Sequence, residues 1–103
     1  MQETGKKLYQ LRGQLKDLQV SDAHAALAEK LIREAVAVLR DDKQLEPVTV
    51  QKLTAELQYE ITRYLQGEYV SAPTRAARTA AFNRAKENAV RWLTRALDQL
   101  QHP

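Results

Sequence analysis

The chain has 103 residues, of which 44% are hydrophobic and 28% charged, the size and mixture of one small globular domain. It contains no cysteine, which excludes a disulfide scaffold, a thiolate zinc site and a cysteine nucleophile. Three glycines and three prolines are too few for a many-turned β-sandwich, and no run of about 18 apolar residues offers a membrane span. Residues 1–8 carry no signal-peptide core, so we expect a single cytoplasmic domain over residues 1–103.

The first two predicted helices cover about residues 5–18 and 22–41. In the first, four leucines recur at steps of three, four and three residues, which places them on one narrow stripe: Leu8, Leu11, Leu15 and Leu18. In the second, apolar side chains at helical spacing face away from the charged ones. Ser21 or Asp22 is placed to cap the start of this second helix.

The third and fourth predicted helices cover about residues 49–66 and 73–101. Thr49 follows Pro47 and is expected to cap the third helix. Gly67 follows the last periodic apolar residue, where a left-handed terminating residue is usual. Pro73 has the fixed backbone angle that suits a first helical turn, and no breaker follows it before about residue 101.

Four amphipathic helices joined by short connections predict an all-α, antiparallel up-down-up-down four-helix bundle. The last helix is the longest, at about 28 residues or about 42 Å, whereas the others span roughly 25–30 Å. We therefore expect the first two turns of the fourth helix to extend beyond the bundle.

The positive charge of the chain is concentrated in the last helix. The formal net charge is +3 and the isoelectric point is near 9.3. Residues 73–103 contain six basic side chains and two acidic ones, whereas the remainder is close to neutral. This distribution suggests an interaction with an acidic partner or with phosphate.

Three arginines lie on the expected solvent side of the last helix: Arg84, Arg91 and Arg95. Glu87 and Asp98 lie three or four residues from them, a spacing that favours ion pairs along a helix. These arginines therefore form either a solvated, internally paired face or a secondary basic face that follows a phosphate backbone.

A candidate partner- or anion-binding site lies at the start of the last helix. Arg75 and Arg78 lie on the side of the helix that carries the apolar stripe. Between residues 73 and 81 that stripe contains only alanines. Ser71 and Thr74 add hydroxyl groups beside the free amides of the helix start. Tyr69, on the expected loop, is a candidate apolar anchor.

The alternative for this region is an intramolecular one. In the bundle topology the start of the last helix lies near Asp17 and Asp22. Arg75 or Arg78 then pairs with one of these aspartates and needs no other partner.

No catalytic, cofactor-binding or metal-binding motif is recognised, so we expect no enzyme. His24 has no second ligand at helical spacing and is expected to pack or cap. Glu56 and Glu60 are four residues apart but are expected to lie in a solvated charge lattice. A helix-turn-helix over residues 50–67 is disfavoured, because Gln58 stands where glycine normally makes the turn.

The sequence thus favours a non-enzymatic protein-protein interaction module, an adaptor, inhibitor or assembly subunit that docks through the start of its last helix. The partner is another protein or a second copy of the chain. The alternative is a nucleic-acid-binding accessory protein that uses the arginines of the last helix.

Overall fold

A computed structural model describes residues 3–101, and within this range it contains helices and no strand. The elements in chain order are α1 (Glu3–Lys16), α2 (Asp22–Asp41), α3 (Pro47–Glu60), a π-helical segment (Ile61–Glu68), α4 (Tyr69–Ser71) and α5 (Arg75–Gln101). α3, the π-helical segment and α4 follow one another without a break, so residues 47–71 form one continuous helix, which we call the third helix. The predicted all-α fold is confirmed.

The helices pack in the cyclic order that a four-helix bundle requires. Each one contacts the next along the chain, and α5 returns to pack along α1. Lys86 Nζ donates to Leu18 O at 2.7 Å, and Arg12 Nη1 donates to Thr94 Oγ1 at 2.9 Å. Residue 86 thus lies beside residue 18, and residue 94 lies beside residue 12. The first and last helices therefore run in opposite directions.

One apolar core fills the centre of the bundle. Its largest fully buried side chains come from all four helices: Phe82, Leu8, Leu15, Ile32, Leu39, Leu57, Ile61 and Leu93. The leucine stripe of α1 is buried as its spacing predicts. None of the helices within residues 3–101 has the length and apolar character needed to cross a membrane.

The starts of the helices follow from local chemistry, and two of them differ from expectation. Ser21 caps α2 as predicted, because its Oγ accepts from His24 N at 3.0 Å. The prediction of Thr49 as a cap is wrong, since α3 begins at Pro47 and Glu46 precedes it without a side-chain cap bond. The last helix begins at Arg75 instead of Pro73, and Thr74 Oγ1 accepts from Ala77 N at 3.1 Å.

The prediction that Gly67 ends the third helix is also wrong. Within residues 3–101 no glycine has a positive φ angle, and helical structure continues to Ser71. The buried apolar residues of this helix recur at every fourth position: Leu53, Leu57, Ile61, Leu65 and Tyr69. Each step of four rotates an α-helix about 40° past a full turn, so a purely α-helical rod would carry this stripe off the core. The π-helical segment turns less per residue and keeps the stripe facing inward.

The longer third helix changes the surroundings of the start of α5. With 27 residues α5 is about 40 Å long, close to the 43 Å longest dimension of the molecule. The π-helical segment and α4 both lie beside it. The predicted extension beyond all three companions is therefore wrong, because the third helix reaches the same end of the molecule.

Candidate functional site

Tyr69 lies inside the fold and is not an exposed anchor on a loop. Its side chain is only 8% exposed, and its hydroxyl donates to Asp22 Oδ1 at 2.5 Å. This hydrogen bond to Asp22, together with burial and the negative charge of Asp22, raises the pKa of Tyr69. Tyr69 thus joins the third helix to the start of α2.

The next residue, Val70, provides the apolar surface that was assigned to Tyr69. It is 73% exposed and lies five residues before the start of α5. Once a continuous helix places Tyr69 inside, its neighbour points outward. The four-residue spacing from Leu53 to Tyr69 was the signal in the sequence for this assignment.

The two hydroxyl groups of the candidate site serve the helix ends. Ser71 Oγ donates to Gly67 O at 2.9 Å, one turn back in the third helix. Thr74 Oγ1 accepts from the amide of Ala77 and so caps α5. Ser71 and Thr74 are both exposed, but their first role is to close two adjoining helix ends.

Arg75 and Arg78 are brought together on the first turn of α5. Arg75 is exposed and Arg78 half-buried, and no carboxylate within residues 3–101 lies at ion-pair distance from either. The positive charge of Arg78 acts on Tyr69 and partly opposes the rise in its pKa. The predicted alternative, an ion pair with Asp17 or Asp22, is therefore absent, and Asp22 instead accepts the Tyr69 hydroxyl.

The secondary basic face is present, but its expected ion pairs are not. Arg84, Arg91 and Arg95 are exposed, and in the described part of the chain Glu87 and Asp98 form no ion pair with them. The Arg95 guanidinium lies over the Trp92 ring, 4.8 Å from its centroid. These cations are thus neutralised less than helical spacing alone suggests.

Glu60 is buried, which contradicts its assignment to a solvated charge lattice. Only 3% of it is exposed, and its Oε2 accepts from Asn88 Nδ2 at 2.9 Å. Burial raises its pKa, with Glu56 adding to the rise, whereas Asn88 and the charges of Arg91 and Arg84 oppose it. The π-helical segment begins directly after Glu60, and no motif in the sequence marks this residue as buried.

Other polar residues of the surface have local roles. His24 Nδ1 lies 2.9 Å from both the backbone nitrogen and the backbone oxygen of Gln19, which agrees with a capping histidine. Gln58 lies within a continuous helix, which excludes the turn of a helix-turn-helix there. Within residues 3–101, no group of three or more His, Asp or Glu side chains is placed to hold a metal ion.

Comparison with known proteins adds no family to this description. No protein-family model matches the chain, and neither the curated proteins nor the solved structures gave a significant match.

Proposed function

We propose that the protein is a non-enzymatic interaction module, an adaptor, inhibitor or assembly subunit, that docks an acidic protein surface through the start of α5. The observation that carries the proposal is that Arg75 and Arg78 lie together and have no carboxylate partner within residues 3–101. The non-enzymatic part rests on the sequence, in which we recognise no catalytic motif. We also propose the cytoplasm as its compartment, with which the lack of cysteine is compatible.

The surface around these arginines supports a protein partner. Val70 is largely exposed five residues before Arg75, and Ala76 and Ala80 are exposed on the other side of α5. Small side chains let a second helix approach closely. Burial of exposed apolar area then adds to the electrostatic contribution to affinity. This docking surface, defined as Val70, Arg75 and Arg78, replaces Tyr69 by Val70 as the apolar contact.

The asymmetry of charge points to an acidic partner. Asp22 shares this end of the molecule, and its carboxylate accepts a hydrogen bond from the Tyr69 hydroxyl. Two cations without internal partners gain most from carboxylates supplied by another molecule. Self-association is included, because the exposed alanines of two copies can face one another.

The experiment is a capture of partners from the native host with three forms of the protein. The wild type, the double variant Arg75→Glu/Arg78→Glu and the control Lys30→Glu/Arg40→Glu are compared at low and moderate salt. Lys30 and Arg40 are exposed on α2, so the control changes net charge by the same amount at another face. We expect the wild type and the control to retain a partner that the double variant loses.

Retention of every partner by the Arg75→Glu/Arg78→Glu variant would refute the docking surface. The oligomeric state of the same three proteins is measured by light scattering after size exclusion. A dimer in the wild type and control that dissociates in the double variant would identify the partner as a second copy.

The second candidate function is nucleic-acid binding along α5. It is favoured by one observation, the absence of ion pairs from Arg84, Arg91 and Arg95 to Glu87 and Asp98. Binding to mixed duplex and single strands is measured at several salt concentrations, since contacts to phosphates weaken steeply with salt. A steep salt dependence that is lost in Arg84→Gln/Arg91→Gln supports this candidate, and no binding at low salt refutes it.

A further inference from the structure

A cleft lies between the start of α3 and the last turns of α5, at the other end of the molecule from the docking surface. Its volume is about 340 Å³. Its lining includes the buried Leu53, the partly buried Trp92 and Val48, which is 67% exposed. Residues 75 and 95 are about 30 Å apart along α5, so this cleft is separate from the docking surface.

The charge of the cleft has a single sign. Lys52 and Arg95 line it from the two helices, and none of the described residues that line it is acidic. Neither cation forms an ion pair within residues 3–101. The Arg95 guanidinium is held over the Trp92 ring, and Gln99 also lines the cleft. The lining therefore combines apolar side chains with two cations.

We propose that this cleft binds a small carboxylate carried on an apolar body. The carboxylate would lie between Lys52 and Arg95, where charge-assisted hydrogen bonds form, and the apolar body would cover Trp92 and Leu53. A pocket in which apolar side chains supply most of the contact and a few polar groups fix orientation is the usual form of a small-molecule site.

The volume sets the size of the ligand. Since a water molecule occupies about 30 Å³ in the liquid, the cleft has room for about ten non-hydrogen atoms. An eight-carbon monocarboxylate has this size, so octanoate is the probe. Octan-1-ol and octylammonium have nearly the same apolar body with no charge and with the opposite charge.

The chain contains a single tryptophan, and it lines the cleft, so its fluorescence reports occupancy directly. Each of the three probes is titrated into the protein below the concentration at which it forms micelles. We expect octanoate to change the Trp92 emission saturably, with affinity at least five-fold above that of octan-1-ol, and octylammonium to cause no saturable change. The indole N–H resonance of Trp92 in NMR spectra gives a second readout that does not depend on emission.

Two variants test the cations. Since an exposed ion pair contributes up to about 1 kcal/mol, a factor of about five, Arg95→Gln and Lys52→Gln should each weaken octanoate binding by about two- to five-fold. Arg84→Gln is the matched control, because it removes one positive charge from the same side of α5 outside the cleft. It should leave octanoate affinity unchanged.

Three results would overturn the proposal: octan-1-ol or octylammonium binding as tightly as octanoate, no saturable change with octanoate by either readout, or equal weakening by Arg84→Gln. Circular dichroism of each variant confirms that it is folded. These outcomes are independent of the docking experiment, since the two surfaces share no residue.

Discussion

At the scale of single residues, the Glu60 carboxylate is the most unusual group in the bundle. It is buried between the third helix and α5, and Asn88 supplies its hydrogen bond. A buried carboxylate holds its proton to higher pH than an exposed one, because the charged form is poorly solvated. The native state therefore binds this proton more tightly than the unfolded chain.

The sign of the resulting pH dependence follows from this difference. The stability that Glu60 contributes through its raised pKa is fully present below its pKa in the unfolded chain, near 4.5. It is lost as the pH rises through the pKa of Glu60 in the folded protein. We predict that Glu60→Gln removes this loss, so that the variant is at least as stable as the wild type at pH 7 and loses that advantage at pH 4. Urea unfolding at pH 7 and at pH 4, followed by circular dichroism, measures this difference in stability.

Two further variants complete this test. Asn88→Ala leaves the buried carboxylate without its donor and should lower the free energy of unfolding by about 1–3 kcal/mol at pH 7. Glu34→Gln, on the exposed face of α2, should show no such change of advantage between the two pH values. An equal response of Glu34→Gln and Glu60→Gln would contradict the assignment.

Which residues of the candidate site could be predicted from sequence depended on whether their neighbours were local. Arg75 and Arg78 lie three residues apart on α5, and residues at that spacing share a helix face. Tyr69 was misplaced because Gly67 was taken to end the helix, and Glu60 was misplaced because its hydrogen-bond partner Asn88 is 28 residues away in the chain. Helical period alone carries no information about such distant partners.

At the scale of elements, the π-helical segment determines the course of the third helix. Gly67 lies within it, and a Cβ atom at this position would meet Thr62 O at 3.0 Å. Gly13 in α1 has no atom from outside its own helical turn within 4 Å of the corresponding position. These two helical glycines therefore differ in the space available to a methyl group.

We predict opposite effects for the same substitution at these two sites. Gly13→Ala should raise the free energy of unfolding by about 0.5–1 kcal/mol, because alanine favours helix more than glycine does. Gly67→Ala should lower it by about 1 kcal/mol, because the added methyl group presses on a backbone oxygen. Thermal and urea unfolding of both variants measure the pair. A gain at Gly67 equal to that at Gly13 would show that the segment relaxes to accept the side chain.

The helices themselves were largely predictable, but their ends were less so. Amphipathic spacing located all four, and the Ser21 cap of α2 was assigned correctly. Gly67 and Pro73 were read as local signals for an end and a start. The core-facing stripe that ends at Tyr69 outweighed the glycine, because burying an apolar face stabilises a helix more than a terminating residue favours ending it.

At the scale of the whole molecule, one core joins all four helices. Phe82 on α5 is completely buried in it, whereas Val70 is 73% exposed. Domains of this size unfold as one unit with a free energy of about 5–15 kcal/mol. The loss of one large central side chain is therefore felt by every helix.

We predict that Phe82→Ala lowers the free energy of unfolding by about 3–5 kcal/mol, since it removes buried apolar area and leaves a cavity. Val70→Ala should change it by less than about 0.5 kcal/mol. Urea unfolding is followed both by Trp92 fluorescence and by circular dichroism, and the two curves should coincide. Separate transitions for the two signals would contradict a single cooperative core.

The position of α5 has a consequence for how the chain folds during its synthesis. Every other helix shares an interface with α5, which is the last of them to leave the ribosome. Until α5 emerges, no helix covers one side of the leucine stripe of α1. The nascent protein therefore presents apolar surface to chaperones. Truncation within α5 should thus leave a species prone to aggregation rather than a smaller native bundle.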